Sequence, residues 1–188
     1  MQSIRSKICV LFAGLAMLLI SCGSKSQNTK AEKFLDFYNH YQADSLQNLL
    51  ADNFIFSRTF ISYKNDKASF LIDIKDRISK TNSVFIITHT EQKGYVTHFQ
   101  VKDKSDYFDY LGVDPPSWKL EVHEDAQNKI SYCLLDTTES FGRYKTQSEE
   151  KYRAFQNWYS SKHPGSENNL PTDMDTLIPL MKEYSKQK

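Results

Sequence analysis

Residues 83–101 read SVFIITHTEQKGYVTHFQV. Two runs of apolar, β-branched and aromatic residues flank the polar link Gln92-Lys93-Gly94. Such side chains fit a pleated, half-buried surface, and a short Gly-containing link joins two antiparallel strands. In the second run Tyr95, Thr97, Phe99 and Val101 fall on one face at period two. Strands are therefore expected over 83–91 and 95–101. Further along, Trp118, Leu120 and Val122 alternate with Lys119, Glu121 and His123, which predicts a third, half-buried strand. Asp125 to Asn128 turn the chain, and Ile130 to Glu139 supply another strand. Between the second and third strands, the Asp- and Tyr-rich stretch 103–116 is expected as a long loop ending in Asp114-Pro115-Pro116.

Upstream the period is helical. Phe34, Leu35, Tyr38 and Tyr41 share one side of a helix from about Ala31. Asp44 is expected to cap a short second helix with Leu46, Leu49 and Leu50 on its apolar face. A strand follows over 53–61. Asn65 or Asp66 then opens a third helix to Lys80, with Phe70, Leu71, Ile74 and Ile78 on one side. Downstream of the sheet, Glu149 to Ser161 is expected as a helix with Tyr152, Phe155 and Tyr159 inward. Pro164-Gly165 ends it, and Thr176 to Lys186 forms a last helix with Pro179 in its first turn. Helices that precede hairpin-linked strands pack on one face of an antiparallel sheet. The expected class is α+β: one largely antiparallel sheet on N-terminal helices, with a C-terminal helical extension over 143–188. A single domain over 31–188 accommodates all of it.

Composition narrows the function classes. The chain has 188 residues, 39% of them hydrophobic and 13% aromatic, enough for a packed core. Its net charge of +1 argues against nucleic acid as a partner, because phosphate neutralisation needs clustered Lys and Arg. Three cysteines do not make a disulfide scaffold.

Residues 1–22 read MQSIRSKICVLFAGLAMLLISC. Arg5 and Lys7 precede the apolar run Ile8 to Ile20, which is short for a bilayer span and suits a secretory signal peptide. The closing Leu19-Ile20-Ser21-Cys22 resembles the bacterial lipobox. That resemblance implies a signal peptide over 1–21, diacylglycerylation of the Cys22 thiol, and N-acylation of Cys22 after cleavage. Two or more acyl chains hold a protein stably on a membrane. Cleavage removes two cations and no acid, turning the net charge to −1, and leaves 167 residues. It also removes Cys9, so Cys133 has no partner for an intramolecular disulfide once Cys22 carries lipid. Residues 22–30 then form the lipidated Cys and a flexible tether. Gly23 stands where family sorting rules place Asp for inner-membrane retention, which favours the outer membrane facing the periplasm.

The element order, together with Phe37-Tyr38 and Asp44-x-Leu46-x-x-Leu49-Leu50-x-Asp52-x-Phe54, resembles the SnoaL-like branch of the nuclear transport factor 2-like superfamily over about residues 31–143. The resemblance implies a curved sheet wrapped around helices as a cone, enclosing a pocket. It includes isomerases, cyclases and hydrolases as well as members without catalysis, so the fold by itself gives no activity. Two readings follow. The first is a domain that binds a small apolar ligand or a protein partner without catalysis. The second is an isomerase, cyclase or hydrolase using an Asp or His acid–base group in an apolar pocket. Homodimerisation through the outer sheet face is a third expectation.

The candidate catalytic residues are Asp136, His89 and Tyr132. By simple alternation Asp136 shares a stripe with Ile130, Tyr132 and Leu134, and His89 lies on the face of Phe85 and Ile87. Arg58 and Trp118 are the candidate ligand-binding residues. Asp-Arg-Asp is the working set of the family's epoxide hydrolases. Arg58 and Asp136 match part of it, and no second Asp is placed. His98 and His123 are expected to face solvent. Tyr107, Phe108 and Tyr110 suit either a pocket mouth or packing against the C-terminal helices. No metal-ligand spacing, phosphate loop or nucleophile elbow is present, so neither cofactor nor metal is expected.

Overall fold

The computed structural model describes residues 29–165 and 169–187. The expected signal peptide, Cys22 and nearly all of the tether lie outside the described residues. Every described helix and strand lies between Lys30 and Ser185. Among the described residues no helix is long and apolar enough to cross a membrane.

Helix α1 (Lys30–Asn39) begins with a capping box. Thr29 Oγ1 accepts from the Glu32 amide at 3.1 Å, and Glu32 Oε2 accepts from the Thr29 amide at 2.8 Å. Phe34, Leu35 and Tyr38 are buried along it. Helix α2 (Ala43–Leu49) starts one residue before Asp44, with Gln42 at the N-cap and no side-chain cap bond. Asp44 instead stands in the first turn, where its charge suits the helix dipole. Strand β1 (Leu50–Arg58) follows without a loop. Leu50, read from sequence as a helix residue, is buried as its first residue.

A two-residue strand, β2 (Asn65–Asp66), leads into helix α3 (Lys67–Asp73), whose N-cap is Asp66. The expected helix continues beyond Asp73 as one π-helical turn, Ile74–Ile78. A π turn holds more residues than an α turn, and such turns recur at functional sites. Here Arg77 and Ile78 both reach the inner cavity.

The sheet continues with β3 (Val84–Lys93) and β4 (Val96–Lys104). Gly94 turns the hairpin between them with φ 62°. The stretch expected as a loop holds helix α4 (Asp106–Leu111), capped by Ser105 and closed by Gly112 in the left-handed conformation at φ 67°. Strands β5 (Ser117–Glu124) and β6 (Ile130–Thr137) complete the sheet. Helix α5 (Phe141–Lys162) starts eight residues earlier than the sequence pattern suggested. Helix α6 (Met174–Ser185) is capped by Asp173 and carries Pro179 in its interior rather than its first turn.

The six strands lie in the order β2-β1-β6-β5-β4-β3, antiparallel except for the parallel pair β1–β6. Irregularities between Leu50 and Ile55, Ile87 and His89, and His123 and Glu124 bend the strands. Phe54, Phe56, Phe85, Phe99, Val101, Trp118, Leu120, Val122, Cys133 and Leu135 are buried in one core with the residues of α1, α2 and α3. Asn39 ties α1 to the edge strand: its Oδ1 accepts from the Phe85 amide at 2.8 Å and its Nδ2 donates to the Phe85 carbonyl at 2.9 Å. A second core of Phe108, Leu111, Val113, Phe155, Leu177 and Met181 joins α4, α5 and α6.

Candidate functional site

An inner cavity of about 410 Å³ lies between the sheet, α1, α3 with its π turn, and the C-terminal helices. Half of its lining residues are aromatic. Phe60 stacks on Trp118 with ring centres 4.8 Å apart, Tyr38 stacks on Phe85 at 4.8 Å, and Phe56 stacks on Phe70 at 5.1 Å. Tyr107 and Phe108 from α4, Tyr144 from α5 and Met174 from α6 close the far side. The α4 aromatics therefore do both things the sequence allowed. Tyr107 and Phe108 line the cavity, Phe108 also packs edge-on against Tyr144 at 5.9 Å, and Tyr110 is not among the lining residues but packs on the second core.

Three ionisable side chains with formal charge line this space: Arg58, Arg77 and Asp103. Asp103 is the residue the sequence reading missed. It ends the inward stripe Thr97, Phe99, Val101 on β4, directly opposite Phe85 on β3. Trp118 Nε1 donates to its Oδ2 at 3.4 Å, and no other side-chain hydrogen bond reaches it among the described residues. Protein atoms surround the carboxyl on most sides, yet it remains reachable from the cavity. Burial raises its pKa to about 7, and the Trp118 N–H only partly opposes this. Tyr38 stands nearby. Burial pushes its hydroxyl far above the usual phenol range, with Asp103 adding to the rise and Arg58 and Arg77 opposing it.

Arg58 extends the β1 stripe of Phe54 and Phe56 and lies over the Phe56 ring at 4.7 Å. Burial lowers its pKa, and the neighbouring Arg77 lowers it further. Arg58 Nη1 donates to Asn65 Oδ1 at 2.8 Å, Asn65 Nδ2 donates to Asp73 Oδ2 at 3.0 Å, and Arg77 Nη2 donates to the same Asp73 oxygen at 3.0 Å.

Of the sequence candidates, the fold brings Arg58 and Trp118 to the cavity. Asp136, His89 and Tyr132 are not among its lining residues. Bulges explain both departures from simple alternation. On β6, Ser131 is the extra residue between Ile130, opposite Glu124, and Tyr132, opposite His123. This bulge reverses the parity, so Ile130, Cys133 and Leu135 are buried while Tyr132, Leu134 and Asp136 lie on the outer face. Asp136 there accepts from Thr59 Oγ1 at 2.5 Å and from the Thr137 amide at 2.8 Å. The Thr59 bond leads in holding its carboxyl below the usual range. On β3, Thr88 is the extra residue between Ile87, opposite Val101, and His89, opposite Gln100. His89 therefore leaves the face of Phe85 and Ile87, and β3 is exposed on both faces from Ile86 onward. Tyr132 packs its ring edge-on against His123 at 5.2 Å. His98 and His123 flank Glu121 on the same outer face at 3.5 and 3.3 Å. Among the described residues no group of three His, Cys, Asp or Glu side chains is placed to hold a metal ion.

No family model matches the sequence, and no curated protein is similar to it. Solved structures do resemble it. A candidate ketosteroid isomerase from Kribbella flavida superposes with a TM-score of 0.50 at 14% identity, covering 58% of this chain and 76% of that one. A candidate polyketide cyclase from Sinorhizobium meliloti gives 0.49 at 9% identity over 56% and 92% of the two chains. A nuclear transport factor 2-like protein of unknown function from Cytophaga hutchinsonii gives 0.46 at 12% identity over 60% and 92%. These likenesses concern the fold, which is the α+β nuclear transport factor 2-like fold: N-terminal helices, a six-stranded mostly antiparallel sheet, and C-terminal helices.

Proposed function

We propose that this protein is a bacterial envelope lipoprotein, anchored through Cys22 on the outer membrane and facing the periplasm, whose domain binds a small, largely apolar molecule in the inner cavity without transforming it. The observation that carries the binding reading is the cavity itself. Its volume of about 410 Å³ falls in the range of small-molecule sites, and aromatic side chains, several of them stacked in pairs, make up half of its lining. Apolar area removed from water is the main source of affinity in such a site. The anchoring part of the proposal rests on the charged, apolar and small-residue sequence of residues 1–22.

Native mass spectrometry of residues 23–188 purified from the source envelope tests the binding reading. An adduct of defined mass, lost when Trp118→Ala opens the cavity wall, is the expected result. A bare mass in every preparation would speak for a protein partner instead. For the anchor, Cys22→Ser is expected to abolish acyl labelling and leave the precursor uncut. Normal cleavage in that variant would point to an ordinary signal peptide.

A specific observation favours a second reading. Asp103 is a carboxyl group with a pKa near 7 in an aromatic cavity, able to give or take a proton at neutral pH. An acid–base isomerase, cyclase or hydrolase would use Asp103 in the role that the sequence offered to Asp136 or His89. Loss of turnover in Asp103→Asn, with ligand affinity kept, would support it.

A further inference from the structure

We propose that the ligand of the inner cavity is an organic carboxylate whose charged end is held by Arg58 and Arg77 and whose apolar body lies among the aromatic rings. This inference rests on the cavity being a binding site and names the class of molecule it takes. Two guanidinium groups line the same space, and a single carboxylate, Asp73, serves them both. Arg77 contacts Asp73 directly. Arg58 reaches it only through the neutral amide of Asn65, and its guanidinium makes no ion pair among the described residues. Arg58 therefore keeps a partly buried positive charge whose one hydrogen bond goes to a neutral oxygen.

The other acid lining the cavity does not balance this charge. Asp103 bonds to Trp118 rather than to either arginine, and burial favours its neutral form up to about pH 7. The two arginines also disfavour each other, Arg77 being the second cause that lowers the Arg58 pKa. An anion between them removes that repulsion and satisfies guanidinium N–H donors for which the described residues offer no hydrogen-bond partner. A guanidinium fork matches the two oxygens of a carboxylate. Position agrees with this. Half of the Arg77 side chain is exposed, so it stands where the cavity meets solvent. The same space is also lined by Phe56, Phe60, Phe70 and Trp118. A molecule with one carboxylate and a compact apolar body matches this combination of two guanidinium groups and aromatic rings.

Matched pairs of probes test the proposal by isothermal titration calorimetry at pH 6.5 on residues 23–188. One pair is 1-naphthoate with 1-naphthalenemethanol; the other is octanoate with 1-octanol. The carboxylates are expected to bind at least tenfold tighter than their alcohols. Arg58→Gln and Arg77→Gln are expected to erase that preference while changing alcohol affinity less than threefold. The comparison within the wild-type protein needs no variant, so a poorly folding substitution does not blunt it. Equal affinity within each pair, or tighter binding of the alcohols, would overturn the carboxylate assignment and leave the cavity reading standing. If no probe binds at millimolar concentration, both readings fall. Carboxylate preference that survives in both arginine variants would place the anion elsewhere and overturn the assignment of these residues.

Discussion

Asp103→Asn is expected to stabilise the protein, and to do so only above acidic pH. The substitution keeps the shape of the side chain, and Oδ1 of Asn can still accept the Trp118 N–H. It removes one ionisation. In the unfolded chain the carboxyl titrates near its ordinary value of 3.8, and in the folded protein near 7. Between those values the folded state holds a proton that the unfolded state has released. Stability therefore falls as pH rises, by about 1.4 kcal/mol per pH unit, and levels off above the folded pKa. Over a window of roughly three units the contribution reaches on the order of 4 kcal/mol as an upper bound, since water entering the cavity solvates part of the charge. In Asn this loss is absent. Urea denaturation of both proteins at intervals from pH 4 to pH 8.5 reads the difference directly. The two should be nearly equal at pH 4, diverge steadily, and differ by a constant amount above about pH 7.5. Parallel pH profiles would refute the burial of Asp103. A wild-type protein that gained stability relative to Asn as pH rose would show an ion-paired carboxylate there instead.

Other consequences follow from the same geometry. Phe70 contacts the rings of Phe34, Phe54, Phe56 and Tyr38, so Phe70→Ala should cost about 3–5 kcal/mol of unfolding free energy in a denaturant titration. Thr29→Ala breaks the capping box of α1 and should cost about 1 kcal/mol by the same measurement; no change would mean that the first turn is frayed in solution. Asp136→Asn and His89→Gln alter the outer face, so naphthoate affinity measured by calorimetry should move less than twofold in either variant. A larger loss would place part of the site on that face.

The fold was legible where residue pattern and local structure obey one rule. The β3–β4 hairpin, the Trp118-Leu120-Val122 stripe and the Phe34-Leu35-Tyr38 face all lie where their periodicity placed them. Helix α4 was also written in the sequence. Ser105 as cap, acids at 106 and 109, and Gly112 after Leu111 are ordinary start and stop signals, masked by the density of Asp and Tyr. The site was harder to read because period two fails at a bulge. One extra residue, Ser131 or Thr88, moves everything beyond it to the opposite face, and no composition cue marks either position. Simple alternation puts Asp136 and His89 on the inner face for that reason. Asp103 was within reach of the same rule: extending the stripe from Thr97 by one more step past Val101 arrives at it. What alternation cannot supply is the pairing of Arg58 with Arg77. It depends on the π turn that carries Arg77 and on the packing of α3 against β1, which carries Arg58.

The two tryptophans allow ligand binding in the inner cavity to be tested in one spectrum. The Trp118 indole N–H faces Asp103 within the cavity, whereas the Trp158 indole N–H donates to Gln187 Oε1 at 2.9 Å beside the second core. A proton–nitrogen correlation spectrum of uniformly labelled residues 23–188, assigned with Trp158→Phe, is titrated with 1-naphthoate. The Trp118 indole signal is expected to shift to a saturable end point while the Trp158 signal stays in place. A static Trp118 signal at millimolar ligand, or a shift confined to Trp158, would contradict it.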